Sequence, residues 1–249
     1  MTIGVLAIYG LLIEPSWIEV TEHRQKMKLP IKIAQVSDVH LSPWNITTSR
    51  IYAKLNAIKP DVIVLTGDIA DSLDDLDGAL QTFLKNLPKA KTIAILGNWE
   101  HWSGIPLDKL REIYDAHDVK LLINEVDSFN GVQFVGLDDS TETVPDLAAM
   151  NKLLPWTPTI VLEHSPGSFD QISKAIPVQT ETATMLSGHT HGGQVSLFGF
   201  APVTPPGSGN YVGGWYKDDR GRQLYVSRGL GASILNVRFG ARPEIAVFE

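Results

Sequence analysis

Metal-capable side chains stand just after short apolar runs at separate places in this chain. Asp38 and His40 follow one run in Asp-Val-His, and Asp68 follows another in Gly-Asp-Ile-Ala-Asp. Asn98 follows a third in Gly-Asn-Trp-Glu-His-Trp, and His164 a fourth. His189 and His191 follow a fifth, in Ser-Gly-His-Thr-His-Gly-Gly. Carboxylate, amide-oxygen and imidazole donors suit Mn²⁺, Zn²⁺ or Fe. Side chains at i and i+2 of an extended segment point the same way. Asp38 with His40, and His189 with His191, can therefore each aim two donors into one cavity. The chain has no cysteine, which excludes disulfides and thiolate metal sites.

Taken singly, most of these have a plain structural reading. Asp-x-His arises often by chance, and Gly-Asp after a strand is ordinary turn chemistry. A lone histidine after a strand, such as His164, is usually structural. A double histidine flanked by glycines has little structural rationale. The specific signal is the order: five strand ends, each carrying a metal-capable side chain.

The elements that must position these residues are legible in outline. Ile31 to Val36, Asp61 to Thr66 and Thr92 to Leu96 read as buried strands, and Thr47 to Ile58 and Leu73 to Leu87 as helices between them. This β-α-β-α-β order predicts a parallel sheet. Ligand sites in such sheets collect at the C-terminal strand ends. The second half is strand-rich, with runs at Val132 to Leu137, Thr159 to Leu162, Thr184 to Leu186, Gln194 to Phe198, Gln223 to Ser227 and Ile245 to Phe248. Leu107 to His117 and Gly167 to Ala175 read as helices, and Trp17 to His23 alternates like an edge strand. Ala201 to Gly214 is a Pro/Gly-rich loop long enough to be functional. Tyr211, Trp215 and Tyr216, in or beside it, are candidates to line a pocket. Lys217 to Arg222 reads as a hairpin turn, and His23 and His117, outside every motif, as surface residues.

Hydrophobic content of 43% with 20% charged residues suits a globular protein rather than a disordered one. A net charge of −7 without a basic run argues against a nucleic-acid partner. Ile3 to Ile13 is an uncharged apolar run of 11 residues. A spanning helix needs about 20, so this run either packs on the core, makes a peripheral membrane contact as an interfacial anchor, or is the remnant of a longer membrane segment. The organisation expected is an N-terminal apolar segment and edge strand over residues 1–30, and one domain over 31–249. The expected location is cytoplasmic or associated with an inner membrane.

The sequence of motifs DVH, GD, GN, a single His and GHTH resembles the calcineurin-like metallophosphoesterase superfamily, from about Ile31 to the C-terminus. Tyr225 to Gly231 (YVSRGLG) and Arg238 to Ile245 (RFGARPEI) are similar to a bacterial, membrane- or envelope-associated branch. That branch includes phosphodiesterases and a UDP-2,3-diacylglucosamine pyrophosphatase. The resemblance implies an α/β fold, a four-layer α/β/β/α sandwich of two mixed sheets. It also implies two divalent metal ions, Mn²⁺, Zn²⁺ or Fe. Asp38, His40 and His191 would hold one ion, Asn98, His164 and His189 the other, and Asp68 would bridge them. A hydroxide shared by such a pair attacks phosphorus in line. Asp71 is a candidate hydrogen-bond partner for a metal-bound histidine.

Many members of the superfamily carry a histidine directly after the motif asparagine, where it contacts the scissile phosphate and helps protonate the leaving group. Here that residue is Trp99, whose indole has no titratable proton near neutral pH. His101 lies two residues on. In an extended segment it points with Trp99; in a helix the two stand about 160° apart. His101 could therefore replace the acid, or no side chain does and the substrate is a diester or pyrophosphate. Trp99 and Trp102 could form an apolar or stacking wall, or simply fill core. The expectation carried forward is hydrolysis of a phosphodiester or pyrophosphate, small or lipid-linked. Asn98 and His101 are its catalytic candidates, with His101 as phosphate contact. Trp99 and Arg228 are its substrate-binding candidates, although Arg228 suits pairing with a carboxylate better. The alternatives are a phosphomonoesterase using His101 as acid and a non-catalytic membrane- or cell-wall-binding protein.

Overall fold

Twelve short strands among the described residues form two six-stranded sheets. The computed structural model describes residues 2–24, 27, 29–41, 48–72, 76–180, 183–196, 200–233 and 235–249. In chain order the strands are β1 (Glu19–His23), β2 (Ile33–Val36), β3 (Val62–Thr66), β4 (Lys91–Ile95), β5 (Val119–Leu121), β6 (Glu125–Phe129), β7 (Val132–Gly136), β8 (Thr159–Leu162), β9 (Ala183–Ser187), β10 (Gly214–Lys217), β11 (Gln223–Val226) and β12 (Glu244–Phe248). The first sheet runs β1-β12-β2-β3-β4-β5 and the second β10-β11-β9-β8-β7-β6. Strands β2 to β5 are mutually parallel, as are β7, β8, β9 and β11. β12 against β2, β6 against β7 and β10 against β11 are antiparallel, so both sheets are mixed.

The helices are α1 (Thr2–Ile8), α2 (Thr48–Ile58), α3 (Gln81–Lys85), α4 (Asn98–Trp102), α5 (Leu107–Asp115) and α6 (Phe169–Ala175). Alternate residues of a strand face opposite sides, and the central strands, such as β3, β7 and β8, are buried on both faces. Ile33, Val62, Val64 and Ile93 meet Phe134, Ile160, Leu162 and Tyr225 between the sheets. The other face of the first sheet, through Ile63, Leu65 and Ala94, packs on Ile51 and Leu55 of α2 and Leu110 of α5. The outer face of the second, through Val135, Val161 and Met185, packs on Phe169 and Ile172 of α6. Three cores between four layers make the expected α/β/β/α sandwich.

Several elements depart from the sequence expectation. The strand expected at Gln194 to Phe198 is a single bridge from Val195 to Phe239, and residues 197–198 lie outside the described ones. Gly193 and Gln194, at φ 76° and 55°, turn the chain before a ladder can form. The starts of the helices expected at Thr47 and Leu73 also lie outside the described residues. His23 is not a simple surface residue. It stacks on Phe248 at 5.2 Å, and its Nδ1 accepts the Trp215 Nε1–H at 3.2 Å. The Lys217 to Arg222 turn is present, with Asp218 Oδ1 accepting the N–H groups of Arg220 and Arg222.

Candidate metal centre

The ends of β2, β3 and β4 in one sheet face those of β8 and β9 in the other. Hydrogen bonds stitch this seam. His164, after β8, donates from Nδ1–H to the Thr66 carbonyl of β3 at 2.8 Å. The His189 backbone N–H, after β9, donates to Asp38 Oδ1 at 2.9 Å. Asp38 and His40 hold φ of 50° and 49°, Asp68 53°, and His189 and His191 70° and 52°. The paired residues therefore reach one cavity through left-handed turns, not through the extended geometry expected of i and i+2. Such backbone costs of order 1 kcal/mol each and persists where its surroundings hold it. Close packing adds to that hold: a Cβ on Gly97 would collide with the Asp68 carboxylate, and one on Gly188 with that of Asp38.

Two clusters result. In the first, His40 Nε2 lies 3.1 Å from His191 Nε2, which lies 3.5 Å from Asp38 Oδ1. In the second, His164 Nε2 lies 3.1 Å from Asp68 Oδ2 and 3.3 Å from His189 Nδ1. Asn98 Oδ1 stands 2.9 Å from the same His189 Nδ1. Asp68 Oδ2 also lies 3.9 Å from His40 Nε2, so this carboxylate faces both clusters. Each three-residue group, Asp38/His40/His191 and Asp68/His164/His189, has the spacing to hold an ion.

The donor chemistry fits a cation. His164 spends its Nδ1–H on Thr66, and His189 spends its Nε2–H on the Pro206 carbonyl at 2.6 Å. The inward nitrogens are then lone pairs, and they face Asn98 Oδ1 and Asp68 Oδ2. Four acceptors with no donor among them need a positive charge between them. Asp38 Oδ2 is likewise buried without a hydrogen-bond partner among the described residues. A proton can meet the same need. Burial opposes charge on His164, but Asp68 beside it, with Asp38, lifts its pKa well above the usual histidine value. Burial also works against the Asp68 carboxylate, yet His164 and His40 hold it well below the usual range. Burial, His40 and Arg238 keep His191 neutral, the form that binds metal.

Supporting residues fix these side chains. Asp71 Oδ1 accepts the His40 Nδ1–H at 2.7 Å. Glu100 accepts backbone N–H groups of Asp68, Ile69, Ala70 and Gly97 at 2.7 to 3.1 Å, locking the turns after β3 and β4 together. Sequence reasoning missed Glu100, although a glutamate three residues past a glycine at a helix start is a capping signal. It also missed Arg238, fully buried, whose Nη2 lies 3.3 Å from His191 Nδ1. No local pattern separates that arginine from a surface one.

The cavity over the clusters, about 440 Å³, is lined by Trp99, Trp102 and Thr141, and by Val203 to Pro206 of the Pro/Gly-rich loop. His101 does not line it. The segment is helical, and His101 Nε2 bonds Asp138 Oδ1 at 2.8 Å. The expected phosphate contact by His101 is therefore not met, for the reason helical spacing gives. Arg228 is spent as well: its Nη2 pairs with Glu19 at 2.8 Å and Glu244 at 3.2 Å, so carboxylate pairing, not substrate, accounts for its position. Tyr211, Trp215 and Tyr216 pack elsewhere, Tyr211 on Asp170 and Trp215 on Tyr225.

Comparison with known proteins agrees with this picture. The model of the calcineurin-like phosphoesterase family matches residues 31–193. The uncharacterized metallophosphoesterase YkuE of Bacillus subtilis is 33% identical over 96% of this chain and 88% of its own length. Phosphodiesterase YaeI of Escherichia coli is 30% identical over 95% of this chain and 89% of its own. A Helicobacter pylori metallophosphoesterase is 28% identical over 96% of this chain, which spans 64% of that protein. Among solved structures, a dimetal phosphatase from Danio rerio shares the fold with a TM-score of 0.53 at 12% identity, covering 80% of this chain and 88% of its own. Because these similarities run across the strand ends from Asp38 to His191, the chain belongs to the calcineurin-like phosphoesterase family.

Proposed function

We propose that this protein is a dimetal phosphoesterase that prefers phosphodiester or pyrophosphate bonds. The observation that carries the reading is the set of inward-facing acceptors on His164, His189, Asn98 and Asp68, spaced so that a bound metal ion would satisfy them together. Asp38, His40 and His191 would hold one ion, Asn98, His164 and His189 the other, with Asp68 between. Divalent ions there would supply Lewis-acid charge and a water activated at neutral pH. The chain's own part is to hold the ligands neutral or anionic, orient them through Thr66, Pro206 and Asp71, and wall the cavity with Trp99.

The preference for diesters rests on what the cavity lacks. Glu142 is the one titratable lining residue outside the ligand set among the described residues. A monoester dianion brings a second negative charge that no lysine or arginine in this lining meets among the described residues, whereas a diester brings one. The bond between His101 and Asp138 counts against a monoesterase that uses His101. An intact donor set counts against a purely binding protein. A peripheral membrane contact by residues 3–13 belongs to the same reading, supported by the exposed Val5, Leu6, Ile8, Leu11, Leu12 and Ile13.

The test pairs elemental analysis with an assay after loading with Mn²⁺. Two ions per chain, and hydrolysis of bis-p-nitrophenyl phosphate well above that of p-nitrophenyl phosphate, are expected. A metal-loaded preparation inactive on both esters would sink the enzyme reading. Faster monoester cleavage would sink the diester preference.

A further inference from the structure

We propose that one ester arm of the substrate is a hydrocarbon chain, seated in an apolar groove that opens off the metal cavity. This rests on the diester reading above. The groove holds about 410 Å³ and is walled by Val195, Pro202, Val203, Leu235 and Val237. It shares His191, Val203, Thr204, Pro205 and Ser233 with the metal cavity, so the two adjoin at these residues. A substrate with phosphorus at the ions must send an ester arm somewhere, and this groove begins at the ligand His191.

The chemistry of the walls selects the arm. No lysine or arginine lines either cavity among the described residues. A nucleotide or a second phosphate is normally met by such cations in paired hydrogen bonds. Polar side chains in the groove are partly committed elsewhere. Thr190 Oγ1 donates to the Val212 carbonyl at 2.6 Å, and Gln194 Nε2 to the Leu235 carbonyl at 2.7 Å. The remaining hydroxyls, Thr204 and Ser233, also line the metal cavity, so sugar hydroxyls would find few partners beyond that end of the groove. Val203 and Leu235, by contrast, stand 76% and 66% exposed, apolar surface that a chain would cover.

The far wall continues the same character. Val237 packs beside Gly10, and the Arg238 N–H donates to the Gly10 carbonyl at 2.9 Å. Gly10 continues from α1, whose segment exposes Leu6, Leu11 and Leu12. The exposed leucines of the N-terminal segment thus belong to the element packed against Val237 at this wall.

The experiment uses the Mn²⁺-loaded full chain. Calorimetry compares its affinity for methylphosphonate and octylphosphonate, below micellar concentrations. In parallel, kcat/KM is measured for p-nitrophenyl methyl, butyl and octyl phosphate. Each buried methylene contributes about fourfold, so the octyl compounds are expected to gain about tenfold or more. The variant is Leu235→Asn, at an exposed position where folding is not at stake, and it adds no charge to bias phosphate. It is expected to flatten both chain-length profiles. Equal affinities for the two phosphonates would overturn the groove, as would a profile that Leu235→Asn leaves steep. Should octylphosphonate bind tighter while no diester is cleaved, the groove stands and the diester reading falls.

Discussion

Asp71 has one task at the site: its carboxylate accepts the outward N–H of His40 and so turns the other ring nitrogen toward His191 and Asp38. A carboxylate behind a metal-binding histidine fixes its tautomer and raises its basicity. Replacing it, Asp71→Ala, is expected to weaken Mn²⁺ binding by about 10–100-fold, read by calorimetry. Unchanged affinity would make the contact incidental. Trp99 belongs to this scale too. Its backbone N–H holds Asp68 Oδ1 at 2.9 Å, and its ring stands edge-on to His40 at 5.5 Å. Trp99 thus lines the cavity with its indole and, through its backbone, anchors the carboxylate that faces both clusters.

Helix α4 is the element that decides what His101 does. It starts at Asn98 after the first sheet's β4, and one turn later His101 bonds Asp138, which follows β7 of the second sheet. The pair ties the helix carrying Asn98 across the seam. The Asp138 hydrogen bond raises the His101 pKa against the opposing effect of burial. Burial works to raise the Asp138 pKa, but His101 holds it below the usual range. The histidine's stabilisation is complete below its unfolded pKa and is lost as pH rises through the raised value. The aspartate's is complete above its unfolded pKa and is lost as pH falls through the depressed one. The stability lost in His101→Gln is therefore expected to be greatest at roughly pH 5 to 6.5, at about 1 kcal/mol. Urea unfolding across pH checks this, and a difference independent of pH would refute it. The same variant is expected to keep both limbs of the pH–rate profile for diester cleavage. Loss of one limb would restore His101 as an acid.

For the whole molecule, the N-terminal segment is inverted relative to an ordinary surface helix. Glu14 is buried and accepts the Ala241 N–H at 2.7 Å, while Leu6, Leu11 and Leu12 face outward. No helix among the described residues is long and apolar enough to cross a membrane. Apolar side chains of this kind suit the interfacial layer of a bilayer. With a net charge of −7 the attraction must be apolar, so neutral phosphatidylcholine vesicles are the right probe. Flotation with such vesicles is expected for the native chain. In Leu6→Glu/Leu12→Glu binding should fall by about tenfold or more. Equal flotation of both would show that the exposed leucines do not seat on lipid.

The sequence by itself determined what could be read locally. Short β-branched runs ending in Ser37-Asp38, Gly67-Asp68 and Gly97-Asn98 marked the strands, and polar residues at buried strand ends marked the site. The Lys217 to Arg222 turn followed from its residues alone. β5, β6 and β10 were not legible, since short, partly exposed strands carry little periodicity. Tertiary structure alone decided the rest. Helical phase turned His101 toward Asp138, and the choice between extended and helical geometry could not be made from Gly-Asn-Trp-Glu-His-Trp. Arg228, just past β11, met Glu19 and Glu244, 209 and 16 residues away, only because β1 and β12 begin beside the end of β11. Spacing along a chain fixes which residue types can meet; which lone pairs face one another depends on left-handed turns and a seam between two sheets.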